Sequence, residues 1–564
     1  MRFSTLKNIL VSSLCFSSIE AAGPFLKTVG EYEHIIGNDL WNITIGKQYG
    51  TKLFYKDHDL VGNAVGHYVS YNGAESDLNW TSADIHQQTK DYLDVKFSAK
   101  EGDFHWVIYP DLEGAYQYFV NHALPTLGEF RTLFRLDNVT FPNGKTDSID
   151  QRLPDYADIL NSTNVQDETW ERPDGTFITK YDLATFIRES DYYGVYGDNF
   201  GSWYINAGKD DYNGDHLKQE LMVHRESATG DAVQLNMIHG THFQASSNDV
   251  FADNRTWGPW LWYLNDGSKE DAARRSRKEM ADWPYRWFQN EAYQSRGSIR
   301  GRIILSDGRS ASHAAVFLGD NNPTKSTLDQ GTTHYYTGYA DENGMFEFTN
   351  VRTGVYGLQA WSNGGHLADV TTVLLENDVV VKKGKNGNLG RLTWETQGRE
   401  QIFQIGEFDR KALGFKYAGY PREHALVTKC PADLVFTVGE SETSDWCFGQ
   451  SAEGTWSIRF FVGYNAPANA SSVLSVSLAG YSTGVSSVIT INDHPKPIGN
   501  LSSDSIASDQ CLYRSATVAG EWHYYEFPVA GDLLRKGWNS VNFTVTEGSL
   551  WHGFLWDSIL LEYA

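Results

Sequence analysis

Short runs in which apolar and polar residues alternate recur along most of the chain. The segments 92–98, 104–109, 115–121, 129–137 and 231–242 each send successive side chains to opposite faces, the pattern of a half-buried strand. Gly, Asn and Asp turn residues separate these runs, so the region 23–294 is predicted to be a large sandwich of many short strands. One helical stretch closes it, over 268–293. Ser268 and Asp271 have the spacing of a capping box there, and Pro284 is expected to kink or split the helix.

The alternation resumes at Gly297. GSIRGRIILSDGR, AAVFLGD, YYTGYADENGMFEFTNV and GVYGLQAWSNGG read as strands, with Asp341-Glu342-Asn343-Gly344 as a hairpin turn. Residues 295–390 thus look like a fibronectin type III-like or transthyretin-like sandwich, and the basic, Gly-rich 382–390 reads as a linker. Residues 391–564 alternate again in TWSIRFFV, SVLSVSLAG, SVITIND, WHYYEFPV and SVNFTVTEG, which suggests a carbohydrate-binding-like jelly roll. The fold class is mostly β.

Composition narrows the setting. A 564-residue chain with 41% hydrophobic and 21% charged residues is globular and long enough for two to four domains. Arg2, Lys7, the apolar run 9–16 and Ala21-Ala22 form a secretory signal peptide over 1–22, so the protein is expected to be secreted and extracellular. No later apolar run has the roughly 20 residues needed to cross a bilayer, so no membrane partner is expected. Sequons at Asn42, Asn79, Asn138, Asn161, Asn254, Asn469, Asn500 and Asn542 are candidate glycosylation sites and fit export. With Cys15 in the signal, Cys430–Cys447 is the preferred disulfide and Cys511 is left odd. The net charge of −24 argues against nucleic acid. It also opposes any polyanionic substrate unless Arg and Lys cluster locally.

Three segments carry candidate chemistry. In DAVQLNMIHGTHF (231–243), Val233, Leu235 and Met237 share one face, and His239 falls with them in register. Gln234 and Asn236 share the other with His242, so His242 is the histidine free for a ligand. A spacing of three on a strand, without a Cys/His cluster, does not suit a metal pair. In EFRTLFRLD, Arg131, Leu133 and Arg135 share a face. Their two guanidiniums leave it about 13 Å apart at roughly 3.3 Å per residue and could seat successive acidic sugars. Lys180, in TKYD, qualifies as a base only if burial or nearby cations lower its pKa toward the working pH. The Tyr- and Trp-rich runs DYYGVYGDNFGSWYIN, with Trp203 and Tyr204, and WGPWLWY are either sugar-stacking surfaces or core. No P-loop, dinucleotide fingerprint or G-x-S-x-G elbow occurs.

These segments, with WNITIGKQYG, GHYVSYNGAESDLNWTSADI, ALPTLGEFRTLFRLDN, HLKQELMVHRES and GEFDRKALGFKYAGY, resemble fungal rhamnogalacturonan lyases of polysaccharide lyase family 4, specifically the longer B type. The resemblance spans nearly the whole mature chain. It implies a catalytic β-super-sandwich, a fibronectin type III-like domain and a jelly roll, in that order. It also implies endolytic β-elimination on rhamnogalacturonan I, between rhamnose and galacturonic acid. Lys180 matches the family's essential lysine, His242 its histidine, and Arg131 its leading arginine, with Arg135 at the second arginine position. Arg135, Trp203, Tyr204 and His239 are the residues assigned to substrate binding. The shorter members carry Tyr in the strand before the histidine, where this chain has Val233, Leu235 and Met237, so no catalytic Tyr is carried over. The scheme requires no cofactor, leaves room for a structural Ca2+, and is compatible with a monomer. Two other functions fit parts of the chain: a hydrolase with paired carboxylates, and a non-catalytic wall-binding protein built from three β modules.

Overall fold

Two nine-stranded antiparallel sheets stack face to face over residues 25–265 and form the largest unit of the computed structural model. The described residues are 23–73, 76–243, 249–322, 331–419, 422–463 and 471–564. The signal peptide expected over 1–22 and the sequon at Asn469 lie outside them.

In the first sheet, Gly66–Tyr71, Phe130–Leu136, Ala232–His239 and Val223–Arg225 lie side by side in that order. The second sheet is centred on Gly201–Ile205, Thr256–Asn265 and Gly114–Asn121. Their inner faces meet in an aromatic core; Phe134 of the first sheet stacks on Trp262 of the second at 4.7 Å. This is why the strand pattern was readable: each strand alternates between this core and an outer face.

The outer face of the second sheet is covered by the helix Lys269–Asp282. Ser268 caps it by accepting from the Asp271 N–H at 3.2 Å. The reciprocal half of the expected capping box is absent, because the Asp271 carboxylate takes bonds from Tyr263 and Asn265 and the Ser268 N–H goes to Asp266. The helix stops before Pro284 and a second, short helix, Glu291–Gln294, follows. The stretch therefore splits.

Beyond residue 295 a three-stranded and a four-stranded sheet enclose a second core. The segment read as a linker is part of it. Asn386–Trp394 is a strand pairing in parallel with Arg296–Leu305, because Leu389, Leu392 and the buried Trp394 give it an inward face. The last unit, from Glu400 to Tyr563, has two five-stranded sheets around a third core. Cys430 and Cys447 are disulfide-bonded there, and Cys511 is free and buried. Among the candidate glycosylation sites, Asn79, Asn161, Asn254 and Asn500 are exposed, whereas Asn42, Asn138 and Asn542 are half-buried.

Candidate active site

The first sheet turns Arg131, Leu133 and Arg135 outward beside Met237, Leu235 and Val233 on one neighbour and Ser70, Tyr68 and Gly66 on the other. Leu133, Val233, Leu235 and Met237 form a small apolar floor with Tyr68 packed against it. The two faces of Ala232–His239 are thus used in the opposite sense to the sequence reading. Its polar residues point inward: Gln234 donates to Ser202 Oγ at 2.7 Å, and Asn236 Oδ1 accepts from the Tyr193 and Tyr212 hydroxyls. The inward placement is supported by these bonds across the sheets, although Gln234 Oε1 and Asn236 Nδ2 are buried without a partner among the described residues.

A register shift between Phe130 and Arg131 moves the end of this strand. His239 then pairs with Phe130, faces inward at 1% exposure and bonds to Asp249 at 3.1 Å. It belongs to the core, not to a substrate surface. Trp203 and Tyr204 are also fully buried, the Trp203 indole donating to Asn265 and Tyr204 lying 6.1 Å from Phe134. These three are not substrate contacts. Their aromatic and apolar bulk fills the space between and behind the sheets.

Gly240 ends the strand. Its φ is +81°, and a Cβ there would meet the Gly128 carbonyl oxygen at 2.1 Å, so only glycine fits. The turn brings His242 out beside Arg131. The Glu220 carboxylate takes the His242 Nδ1–H at 2.5 Å and the His242 backbone N–H at 3.0 Å. The other ring nitrogen, Nε2, faces Arg131 Nη1, which makes it the acceptor in this arrangement. Glu220 is fully buried. Burial alone would raise its pKa, but His242 and the hydrogen bonds hold it at about 2, so it stays ionised. Arg131 also bonds Ser70 through Nε at 3.0 Å and pairs with Glu129 at 3.3 Å.

Lys180 follows the strand Phe177–Thr179 and reaches the same face. Its ammonium pairs with Glu226 at 3.4 Å and Glu168 at 3.6 Å. Glu226 is shared with Arg135 at 3.9 Å and His224 at 3.8 Å. Burial opposes its ionisation, but His224, Lys180 and Arg135 hold it well below the usual carboxylate range. His224 is pushed down to about 3, first by burial and then by the Lys180 charge. Arg135 is further tied to Asp231 at 2.9 Å and Thr229 at 2.7 Å. The basic cluster expected from the charge balance is therefore an alternation of cations and carboxylates.

The structure gathers Arg131, Arg135, Lys180 and His242 on one face and leaves their heads partly open, at 12%, 16%, 16% and 20% exposure. Sequence reasoning missed Glu220, Glu226 and Tyr68. Tyr68 is pushed up by burial but restrained by both Arg131 and Arg135, so its hydroxyl lies within the field of the two guanidiniums. It stands two strands from Ala232–His239, the strand in which the shorter family members have Tyr. Only its pairing with Leu133 would have revealed it. Among the described residues, no group of three His, Cys, Asp or Glu side chains is arranged to hold a metal ion.

Family comparison bears on the same chain. Residues 306–389 match domain II, and residues 401–561 the carbohydrate-binding-like domain III, of polysaccharide lyase family 4. A rhamnogalacturonate lyase of Dickeya dadantii is 32% identical over 517 residues, covering 87% of this chain and 84% of its own. A probable rhamnogalacturonate lyase B of Aspergillus niger is 23% identical over 75% of this chain and 69% of its own. At that identity and coverage, the chain belongs to the rhamnogalacturonate lyases of polysaccharide lyase family 4.

Proposed function

We propose that this protein is an exported pectin-degrading enzyme. It cleaves rhamnose-(1→4)-galacturonic acid bonds of rhamnogalacturonan I by β-elimination. The observation that carries this reading is the His242 imidazole fixed by Glu220 at one nitrogen and facing Arg131 with the other, on the face that also holds Lys180 and Arg135. Elimination from a uronate needs three things: charge neutralisation at the C6 carboxylate, a base for the C5 proton, and an acid for O4.

Arg131 supplies the first. Proton removal from C5 shifts negative charge onto the carboxylate, and a guanidinium already in place stabilises that charge without rearrangement. Its Glu129 partner yields to the substrate. Arg135, on the same face, seats a neighbouring acidic sugar. Once the substrate has displaced its carboxylate partners and its ammonium has given a proton to water, Lys180 accepts the C5 proton as a neutral amine. The C5–H electrons form the C4=C5 double bond, the C4–O4 bond breaks, and His242, which takes up a proton on Nε2 once Arg131 turns to the substrate, protonates the departing O4. The rhamnose end leaves with its hydroxyl, and the galacturonate end is 4,5-unsaturated.

A second reading exchanges the two proton carriers. Lys180 is held as a cation between Glu226 and Glu168, and His242 Nε2 accepts from Arg131, which favours His242 as base and Lys180 as acid. A galacturonate bearing an activated aryl leaving group at O4 separates the two. Such a leaving group needs no acid, so it rescues the variant of the acid residue and not that of the base.

The whole reading is tested by following ultraviolet absorbance during digestion of rhamnogalacturonan I beside homogalacturonan. Absorbing, unsaturated products from the first substrate alone are expected. Cleavage without that absorbance would point to a hydrolase, and retained binding without cleavage to a wall-binding protein.

A further inference from the structure

Two arginines of the C-terminal sandwich reach into the segments that carry Lys180 and His242. Arg514 follows the short helix Gln510–Tyr513, whose cap Asp509 is buried and accepts from the backbone N–H groups of Cys511, Leu512 and Glu521. From this anchored turn, Arg514 Nη1 donates to the His242 carbonyl and Nε donates to Asp167 at 3.1 Å. Its guanidinium lies 4.7 Å over the ring of Tyr181, the residue after Lys180, and the Tyr181 hydroxyl bonds the same Asp167 oxygen at 2.8 Å. One side chain thus ties the backbone at His242 to the segment beside Lys180.

Arg422 completes the brace. It donates to the carbonyls of Cys511 and Arg514 and to Gln219 Oε1, and it stands 4.6 Å over the Phe243 ring. Gln219 also donates to the Ala519 carbonyl at 2.7 Å, and its own carbonyl accepts from Thr241 at 2.6 Å. Gln219 directly precedes Glu220, the residue that fixes the His242 ring. Around these bonds, Tyr181, Ala184, Leu221 and Phe243 of the first sandwich share one buried cluster with Cys511 and Ala516 of the last.

We propose that Arg514 is a positioning residue for elimination and that the C-terminal jelly roll is part of the active-site scaffold. Arg514 acts through backbone and aromatic contacts, not on the substrate. Its effect is to keep the proton carriers in register, where a displacement of about 1 Å costs roughly 10²-fold in rate. Lysine cannot replace it, because one ammonium cannot bond the carbonyl, pair with Asp167 and stack on Tyr181 together.

The test compares Arg514→Ala and Arg514→Lys with Arg399→Ala, a control that loses a pairing with Glu526 and Glu562 in the same domain. In the full chain, Arg514→Ala should lower kcat by roughly 10- to 100-fold. KM and the melting temperature should stay close to wild type, and added guanidinium should restore part of the rate. Arg514→Lys should fall between, and Arg399→Ala should match wild type. A second arm uses histidine ring carbons labelled for NMR, with the His242 signal assigned by its loss in His242→Ala. That signal should move in Arg514→Ala and stay in Arg399→Ala. An Arg514→Ala enzyme with wild-type kcat, or one whose only change is a lower melting temperature, would overturn the proposal, as would an unmoved His242 signal. The kinetic arm rests on the elimination reading, but the NMR arm does not. If wild type forms no unsaturated product while the signal still moves, the reading fails and the brace stands.

Discussion

The two outer faces of the large sandwich hold buried or half-buried carboxylates in opposite ways. On the second sheet, Glu279 sits at 0% exposure under its helix and takes bonds from Tyr116, Tyr285 and Arg275, so its capacity is closed inside the protein. On the first sheet, Glu129 and Glu226 keep 17% and 16% exposure and meet cations at 3.3–3.9 Å, longer than the 2.7–3.1 Å bonds to Glu279. A satisfied carboxylate fixes structure, whereas a loosely paired one can be exchanged for that of a substrate. The aromatic-rich runs belong to the first kind. Their rings build the inter-sheet core and the surface beneath the helix.

Removing a proton carrier should break this contrast most sharply. His242→Ala and Lys180→Ala should each lower kcat by about 10³-fold or more with the fold intact, read by circular dichroism and initial rates. If either variant kept near-normal turnover, that residue would have no role in proton transfer. Glu220→Gln should come next, at roughly 10²-fold in kcat. An amide offers no negative charge to the imidazole and can reverse which ring nitrogen carries the proton. An unchanged kcat would reduce Glu220 to a structural bond.

The second face should behave in reverse. Trp203→Phe removes a buried indole bond to Asn265 and ring volume. It should cost about 2 kcal/mol of stability in denaturant melts while the folded enzyme keeps its kcat. A selective loss of kcat or rise in KM would return Trp203 to the substrate surface.

The smallest effect concerns pH. Asp182 and Asp509 are both held up to about 7 by burial, with Arg172 and Arg422 opposing this at Asp182. Such groups stabilise the fold fully below their unfolded pKa near 3.9 and lose that contribution as pH rises through about 7. Glu220, depressed to about 2, works the other way. Its contribution is present above its unfolded pKa near 4.3 and is lost as pH falls toward about 2. The Asp182 and Asp509 carboxyls should together lower the melting temperature by about 5 °C between pH 5 and 7.5, against the opposite trend set by buried histidines such as His67, His224 and His239, whose lowered pKa values favour folding as pH rises. Asp509→Asn should flatten that fall. An equal slope in the variant would remove Asp509 from the account.

Much of the sandwich was legible because strand periodicity is local. The expected runs at 92–98, 115–121 and 129–137 are the strands Leu93–Ser98, Gly114–Asn121 and Phe130–Leu136. The common face of Arg131 and Arg135 follows from the same local rule. Which face met water did not, because Gln234 and Asn236 find inward partners on strands far away in sequence. Glu220 and Tyr68 stayed hidden for the same reason. Each joins the site through pairing across strands, and a one-residue bulge was enough to turn His239 inward. Arg514 lies 272 residues from His242, a separation at which a single sequence carries no pattern.

Elimination itself is tested most directly by digesting rhamnogalacturonan I in water enriched in oxygen-18 and weighing the products. The account predicts a new non-reducing end lighter by one water and no oxygen-18 at the cleaved bond beyond the anomeric exchange of a rhamnose control, with both products absent in His242→Ala. A saturated end, or heavy oxygen at the cleavage point in excess of that control, would contradict it.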